Sequence, residues 1–127
     1  MSPREWIAAY GRAWEEREPE AAAQLFSENA VYRSHRFSEP HVGRAGVAEY
    51  WRNATETQEH VRVRFGEPVV EGNRAAVEWW TTLGGDGLWT IAGCLFLRFD
   101  TAGLCQELRE CWHDVEGHLE PPEGWGR

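Results

Sequence analysis

The sequence predicts an α+β fold in which one strongly curved sheet folds around its helices. Apolar residues recur at helical spacing in three segments of the first 57 residues, and beyond them the hydrophobic period changes to two, which is typical of strands with one buried face. Short breaks rich in Gly, Pro and Asp separate the period-two segments and indicate hairpin turns. Helices followed by an antiparallel meander of four to five strands form an α+β layer.

Three helices are predicted in the first half of the chain. Helix one covers residues 3–17, with Ser2 as its N-cap and Pro3 at the first helical position. Helix two follows directly from Pro19 and presents a short apolar face that extends to Phe26. Helix three covers about residues 44–57. The two first helices are therefore joined by a tight turn.

One extended segment precedes helix three, and four more strands follow it. The first segment covers residues 30–35 and continues into a loop that contains Pro40 and Gly43. The later strands include residues 61–65, 77–82, 94–99 and 108–113, with turns at 66–68, 71–73, 84–87 and 100–103. Every second residue of these strands is apolar and must meet the helices.

The outer face of the predicted sheet carries charges of both signs and two aromatic residues, Trp80 and Phe96. These rings indicate an apolar patch, so we expect a homodimer through this face. The alternative is a solvated face on which the rings lie against arginine stems.

Length and charge limit the classes of protein that fit. The 127 residues predict a single domain over 1–127, with a core of about 4–115 and a loop-like tail over 116–127. A net charge of −8 without a basic cluster argues against a nucleic acid partner. No apolar run is long enough for a membrane span, and the first residues are charged too early for a secretory signal, so we expect no membrane partner and a cytoplasmic location.

No motif in the chain indicates a metal or a cofactor. The three cysteines share no metal-ligand spacing and are expected to be buried free thiols. His35 and His41 lie six residues apart in a loop without a third ligand, so no metal site is predicted. Phosphate-binding, dinucleotide-binding and hydrolase motifs are missing as well, so the expected activity needs no cofactor.

Glu110 is the most informative residue for function. Alternation places its carboxyl between Leu108 and Trp112, on the side of the sheet that faces the helices. A buried carboxylate must be paired, hydrogen-bonded or protonated, and desolvation raises its pKa toward the range of a general acid or base near neutral pH. The alternative is a polar anchor in the core, satisfied by Tyr or Trp donors or by Arg33.

Four other side chains are candidates for catalysis. Tyr10 lies on the inner face of helix one and can point its hydroxyl inward, although an aromatic stripe at helical spacing favours core packing as its role. Tyr32 and Ser34 share one face of the first extended segment. His35 follows at the mouth of the loop, either as a proton shuttle or as an exposed loop histidine.

The chain resembles the nuclear transport factor 2-like superfamily, in particular its small bacterial SnoaL-like members. The resemblance covers residues 6–115 and rests on WIAAYGRAWEEREPEAAAQLFSENAVYRSH, EPHVGRAGVAEYW, VEWW and GCLFLRFDTAGLCQELRECWHD. It implies a cone-shaped, mostly antiparallel curved sheet wrapped around three helices, as in cystatin-like folds. A deep pocket for small, mostly apolar molecules lies between helix one and the sheet in such proteins.

The catalytic sets of the relatives are only partly present. Where ketosteroid isomerases have an oxyanion-hole tyrosine and a pocket tryptophan, this chain resembles them with Tyr10 and Trp112. Their catalytic aspartate falls on Ser34, and their protonated acid falls on Leu95, so isomerisation by that mechanism is not expected.

Limonene epoxide hydrolases use an Asp-Arg-Asp set. Two positions of this set correspond to Trp79 and Thr81 in this chain. Only the third position keeps a carboxylate, which is Glu110. Their water-positioning tyrosine and asparagine fall near Tyr32 and Ser34. Polyketide cyclases rely on one acid/base carboxylate in the same pocket, and Glu110 can supply it.

The expected function is therefore the binding of a small aromatic or polycyclic molecule in an aromatic pocket. We expect the pocket to be lined by Trp14, Phe26, Trp51, Trp79, Thr81, Leu95 and Trp112. Glu110 would be the general acid/base of an isomerase, lyase or hydrolase, with Tyr10 or Tyr32 donating to an oxyanion. A non-catalytic binding protein and a dimeric assembly domain are the alternatives.

Two measurable expectations follow from this hypothesis. A cavity of at least roughly 300 Å³ should lie beside Glu110. Five of the eight tryptophans should line or floor it, namely Trp6, Trp14, Trp51, Trp79 and Trp112.

Overall fold

Three helices occupy the first half of the chain in the computed structural model, which describes all 127 residues. They are α1 (Pro3–Glu15), α2 (Pro19–Ala23) and α3 (Gly43–Thr55). The Ser2 hydroxyl caps α1 by accepting from the Glu5 backbone N–H at 3.2 Å, and the Glu5 carboxylate accepts from the Ser2 backbone N–H at 2.9 Å. The predicted N-cap is thus confirmed. None of these helices has the length and apolar character needed to cross a membrane.

Seven strands form one curved sheet, more than the four to five that the pattern predicts. They are β1 (Phe26–Arg33), β2 (His41–Val42), β3 (Gln58–Phe65), β4 (Val69–Glu71), β5 (Arg74–Gly85), β6 (Trp89–Phe99) and β7 (Cys105–Glu116). The sheet order is β2-β1-β7-β6-β5-β3, and β4 pairs with β5. Only β1 and β7 are parallel. The α+β class and the mostly antiparallel sheet are confirmed.

The structure corrects several element boundaries. Phe26 begins β1 and does not belong to helix two, because α2 ends at Ala23 and the chain turns into the sheet there. β1 joins the last strand in parallel, so the sheet is not a simple meander. The loop after β1 contains the two-residue strand β2, which pairs back onto Val31 and Tyr32.

The core lies between the helices and the inner face of the sheet. α1 packs against β3, and α3 packs against β1. Trp6 is fully buried, where its ring stacks on Tyr10 at 4.9 Å and its indole N–H donates to the Leu25 carbonyl at 2.6 Å. A buried aromatic ring with a satisfied polar atom stabilises the fold without a desolvation penalty.

The tail after β7 folds back over the outer face of the sheet. Trp125 packs edge-on against Trp80 with ring centroids 6.0 Å apart, and the Trp80 indole N–H donates to the Leu119 carbonyl at 2.9 Å. The Gly126 carbonyl accepts from the Glu67 backbone N–H at 2.6 Å. The tail is therefore anchored at several points, and it covers part of Trp80.

Candidate functional site

A cavity of about 240 Å³ lies between α1, α3 and the inner face of the sheet. It is smaller than the roughly 300 Å³ expected from the sequence, which matters for the size of a ligand. The wall is largely aromatic and aliphatic, and it consists of Tyr10, Trp14, Tyr50, Trp51, Ala54, Gln58, Phe65, Trp79, Ile91, Leu95, Glu110 and Trp112.

Glu110 lies on the inner face of β7, as the alternation predicts. Its Cα pairs with that of Leu95 on β6, and Leu95 is fully buried. The residue as a whole keeps partial solvent access, while its carboxyl group borders the cavity. A carboxyl group thus stands in an otherwise apolar wall.

Three tyrosine hydroxyls surround this carboxyl group. Tyr32 donates to Glu110 Oε1 at 3.3 Å, and Tyr50 donates to the same oxygen at 3.4 Å. The Tyr10 hydroxyl lies 3.0 Å from the Tyr32 hydroxyl. Because the single proton of Tyr32 is directed to Glu110, Tyr10 is the donor to Tyr32.

This network changes the role expected of the tyrosines. Each hydroxyl has one proton, and in this arrangement the protons of Tyr10, Tyr32 and Tyr50 are all used inside the network. The expected donation from Tyr10 or Tyr32 to an oxyanion is not available without a rearrangement. No protein group bonds Glu110 Oε2, which keeps some accessible surface.

Burial raises the pKa of Glu110 to about 8, although the hydrogen bonds from Tyr32 and Tyr50 act in the opposite direction. The carboxyl group is therefore mostly protonated at neutral pH. Burial, and then the proximity of Glu110, raises the pKa of Tyr10, Tyr32 and Tyr50 above the ordinary value of a tyrosine, so these hydroxyls stay protonated. The arginine considered as an anchor, Arg33, pairs with Glu107 at 3.0 Å instead.

Seven of the twelve expected site residues line the cavity. They are Tyr10, Trp14, Trp51, Trp79, Leu95, Glu110 and Trp112. Tyr32 does not border the cavity. It is fully buried on β1 and contacts Glu110 through its hydroxyl. Phe26 packs beneath it at 5.9 Å between ring centroids.

Ser34, His35 and Thr81 lie outside the cavity wall. The Ser34 hydroxyl lies 3.5 Å from Nε2 of His41, and its carbonyl accepts from the Trp112 indole N–H at 3.4 Å. His35 is exposed, and its ring packs against Trp112 at 5.5 Å. Thr81 is fully buried, and its hydroxyl has no partner. These three residues therefore support or flank the wall.

Two polar groups of the site were missed in the sequence. Tyr50 belongs to the apolar stripe of α3, where helical spacing gives no reason to single out its hydroxyl. Gln58 starts β3 three residues before the predicted strand, and its side-chain oxygen accepts from the Trp14 indole N–H at 2.8 Å. An aromatic residue with a polar tip on an inward helical face is the signal that identifies Tyr50.

Four of the five tryptophans expected at the cavity line it. Trp6 is the exception, because it lies below Tyr10 and contacts Phe26 and Phe99 instead. The indole nitrogens of Trp51 and Trp79 are fully buried and have no partner, so a ligand in the cavity cannot reach them directly.

The three cysteines are free, and no group of three His, Cys, Asp or Glu side chains is placed to hold a metal ion. Cys105 is buried as expected. Cys94 and Cys111 are only partly buried, because they face each other across β6 and β7 on the outer face of the sheet.

The model of the SnoaL-like domain family matches residues 7–108. The chain belongs to this SnoaL-like family. The match ends two residues before Glu110, so the role of that carboxyl rests on the geometry of this chain. No curated protein matches the sequence.

Solved structures show the same fold at low sequence identity. SalBIII, an epoxide hydrolase/cyclase-like enzyme with a role in pyran ring formation in the polyether salinomycin, superposes with a TM-score of 0.79 at 19% identity over 90% of this chain and 95% of its own. A hypothetical protein of Catenulispora acidiphila DSM 44928 has a ketosteroid isomerase-like fold and was solved with trimethylamine. It superposes with a TM-score of 0.76 at 18% identity, over 87% of this chain and 86% of its own. RV0760c of Mycobacterium tuberculosis superposes with a TM-score of 0.76 at 15% identity, over 90% of this chain and 95% of its own. This SnoaL-like chain thus has the isomerase- and cyclase-type fold around an aromatic cluster.

Proposed function

We propose that this SnoaL-like protein binds a small, mostly apolar molecule in its aromatic cavity and transfers a proton to or from it with Glu110. The reaction class is a cofactor-free isomerisation, elimination or hydrolysis. The observation that carries the proposal is the carboxyl of Glu110, which burial gives a pKa of about 8 in an apolar wall. A group that exchanges its proton near neutral pH is suited to general acid/base catalysis.

The hydrogen bonds at Glu110 support a role as the acid. Tyr32 and Tyr50 both donate to Oε1, which leaves Oε2 to carry the proton. When Oε2 transfers its proton to an epoxide, hydroxyl or carbonyl oxygen of the ligand, the same hydroxyls stabilise the carboxylate that remains. Tyr10 orients Tyr32 and thereby supports the network from α1. In this proposal the tyrosines are positioning residues.

The size of the cavity favours a small ligand. About 240 Å³ lies below the range of about 300–1,000 Å³ in which drug-sized ligands are bound. The expected polycyclic ligand is therefore replaced by a molecule of about one ring. SalBIII is described as epoxide hydrolase/cyclase-like, and an epoxide is one of the ligand classes that suit a proton transfer from Glu110, although the identity of 19% shows the fold alone.

Two single-ring probes test this proposal. Cyclohexene oxide hydrolysis reports acid catalysis, and conversion of 3-cyclohexenone to its conjugated isomer reports proton transfer at carbon. We expect turnover of at least one probe, and Glu110→Gln should lower it by about 100-fold or more. Glu116→Gln, at the exposed end of the same strand, is the matched control and should leave turnover unchanged.

The competing function is ligand binding without catalysis, with Glu110 as a polar anchor held by tyrosines. Binding of the probes without turnover between pH 6 and 9 would favour it. Turnover that survives in Glu110→Gln would contradict the catalytic proposal directly.

A homodimer through the outer face of the sheet remains part of the proposal. Phe96 is 44% exposed on β6 and can serve as its contact. Trp80, the other expected contact, is partly covered by the tail through Trp125 and Leu119. Sedimentation of Phe96→Glu tests the dimer: a mass unchanged from that of a dimeric wild type would place the contact elsewhere.

A further inference from the structure

A second concavity, of about 550 Å³, lies on the outer surface where the end of β1 and the loop after it meet β6 and β7. Arg33, Arg36 and Arg109 border it together with Phe37 and Phe96. We propose that this cleft binds the carboxylate of a small organic acid with an aromatic or apolar body. The proposal does not depend on the function proposed for Glu110.

The strand register places two arginine residues side by side on the outer face. Arg33 on β1 pairs with Arg109 on β7, and Arg109 pairs with Phe96 on β6. Like charges at directly opposite positions of neighbouring strands destabilise a sheet. An anion between them removes this repulsion, and the planar fork of a guanidinium matches the two oxygens of a carboxylate.

The arginines of the cleft are poorly neutralised by the protein. Arg109 has no hydrogen-bond or ion-pair partner, and Arg36 donates only to the Cys111 sulfur at 2.9 Å. Arg33 pairs with Glu107, but Arg98 shares that carboxylate at 3.2 Å. This local excess of positive charge occurs in a chain whose net charge is −8. Since the charge of the whole molecule repels polyanions, a small anion fits the cleft better than a nucleic acid.

Two exposed phenylalanines indicate what the anion carries. The side chain of Phe37 is completely exposed, and that of Phe96 is 44% exposed. Aromatic rings beside guanidinium groups suit a ligand with a flat apolar body and a charged end. Neither ring is buried within one chain, so covering them with a ligand removes apolar surface from water. At Phe96 such a ligand takes the place of the proposed dimer contact.

The cleft and the cavity lie on opposite sides of the sheet, although Glu110 borders both. Arg109 and Cys111 belong to the cleft, whereas Trp112 belongs to the cavity wall. This separation allows the two sites to be tested independently.

Isothermal titration calorimetry with 1-naphthoate at pH 7 and low salt tests the proposal. We expect binding that is at least about tenfold tighter than that of the neutral 1-naphthalenemethanol and that weakens with added salt. Arg109→Gln should weaken naphthoate binding by about tenfold or more. Arg62→Gln is the matched control, because Arg62 is exposed on β3, away from the cleft, and has no partner.

Several outcomes overturn the proposal. These are equal affinity for naphthoate and the alcohol, no binding at millimolar concentration, or equal loss in Arg109→Gln and Arg62→Gln. Ile91→Phe locates the probe, because Ile91 lines the cavity and not the cleft. Unchanged naphthoate affinity in Ile91→Phe supports the cleft, while weaker binding that is indifferent to Arg109→Gln places the probe in the cavity and contradicts the proposal. Loss of turnover in Glu110→Gln, together with loss of naphthoate affinity in Arg109→Gln and its retention in Ile91→Phe, supports the two sites separately.

Discussion

The chemistry of this fold is concentrated in one carboxyl group and the hydroxyls around it. Two hydroxyls donate to a single oxygen of Glu110, and a third donates to one of them. Removing any donor leaves Glu110 less well compensated in an apolar wall. A combination of burial with partial compensation gives the raised pKa, because full compensation would have kept the pKa near its ordinary value.

The buried hydroxyl of Thr81 tests how much an unpaired polar group lowers the stability of this fold. The Thr81 hydroxyl is buried without a partner, so Thr81→Val should stabilise the protein by about 1 kcal/mol. The matched control is Thr90→Val, because the Thr90 hydroxyl donates to the Gly117 carbonyl at 2.7 Å and accepts from the Leu119 N–H at 3.0 Å. That change should destabilise the protein by about 1–3 kcal/mol in urea unfolding. Equal effects of the two substitutions would contradict the assigned hydrogen bonds.

At single residues, the sequence predicts orientation better than it predicts partners. Period-two alternation places Glu110 and Trp112 correctly, because the side chains of a strand must alternate between faces. Ser34 shares a face with Tyr32 but finds His41 and not the cavity, since the loop that brings His41 there has no periodic signal. Tyr50 was missed because helical spacing does not distinguish a hydroxyl-bearing ring from a packing ring.

Among the elements, the tail differs most from its expected behaviour. The sequence predicts only a loop-like tail over 116–127, yet the tail is anchored at Leu119, Trp125 and Gly126. Close backbone approach makes this possible, because a Cβ atom on Gly126 would lie 2.9 Å from the Gly66 Cα. The composition of the tail carries no sign of this contact.

Gly126→Ala should therefore detach the end of the tail. Gly124→Ala is the matched control: both glycines have a φ of +84°, but a Cβ atom at Gly124 meets nothing within 4 Å. Both changes strain the backbone, and only Gly126→Ala adds the clash. We expect iodide to quench tryptophan fluorescence more strongly in Gly126→Ala, because Trp125 and Trp80 separate. Identical quenching in both variants would show that the tail does not dock through Gly126.

The pairing of β1 with β7 is the element-level feature that alternation cannot predict. Both strands have readable patterns, but which strands become neighbours depends on how the helices pack between them. Periodicity predicts the three helices, the strands and the buried face of each strand, whereas the cone shape and its pocket are what the resemblance to a known family implies.

For the whole molecule, the raised pKa of Glu110 makes stability depend on pH. In the folded state Glu110 keeps its proton up to about pH 8, whereas in the unfolded state it loses the proton near pH 4.5. Below about pH 4.5 both states are protonated, so burial of Glu110 then carries no ionisation penalty to the free energy of unfolding. As the pH rises from there through 8, the wild type should lose stability, to a total of a few kcal/mol. Glu110→Gln lacks this pH-dependent loss of stability, because glutamine does not ionise.

Urea unfolding of the wild type and Glu110→Gln at pH 5, 6, 7, 8 and 9 measures this effect. The difference in free energy of unfolding should shift in favour of Glu110→Gln up to about pH 8 and then level off. Glu116→Gln should follow the wild type at every pH. A wild type and Glu110→Gln that differ by a constant amount would show that Glu110 does not titrate differently in the two states.

The most direct test of the central claim is the titration of Glu110 by ¹³C NMR of glutamate-labelled protein, with Glu110→Gln used to assign its carboxyl signal. We predict a midpoint of about 8, and a higher one in Tyr50→Phe, because the hydrogen bond from Tyr50 lowers the pKa. A midpoint near 4.5 would contradict the account, since a carboxylate ionised well below neutral pH cannot serve as the acid of this cavity.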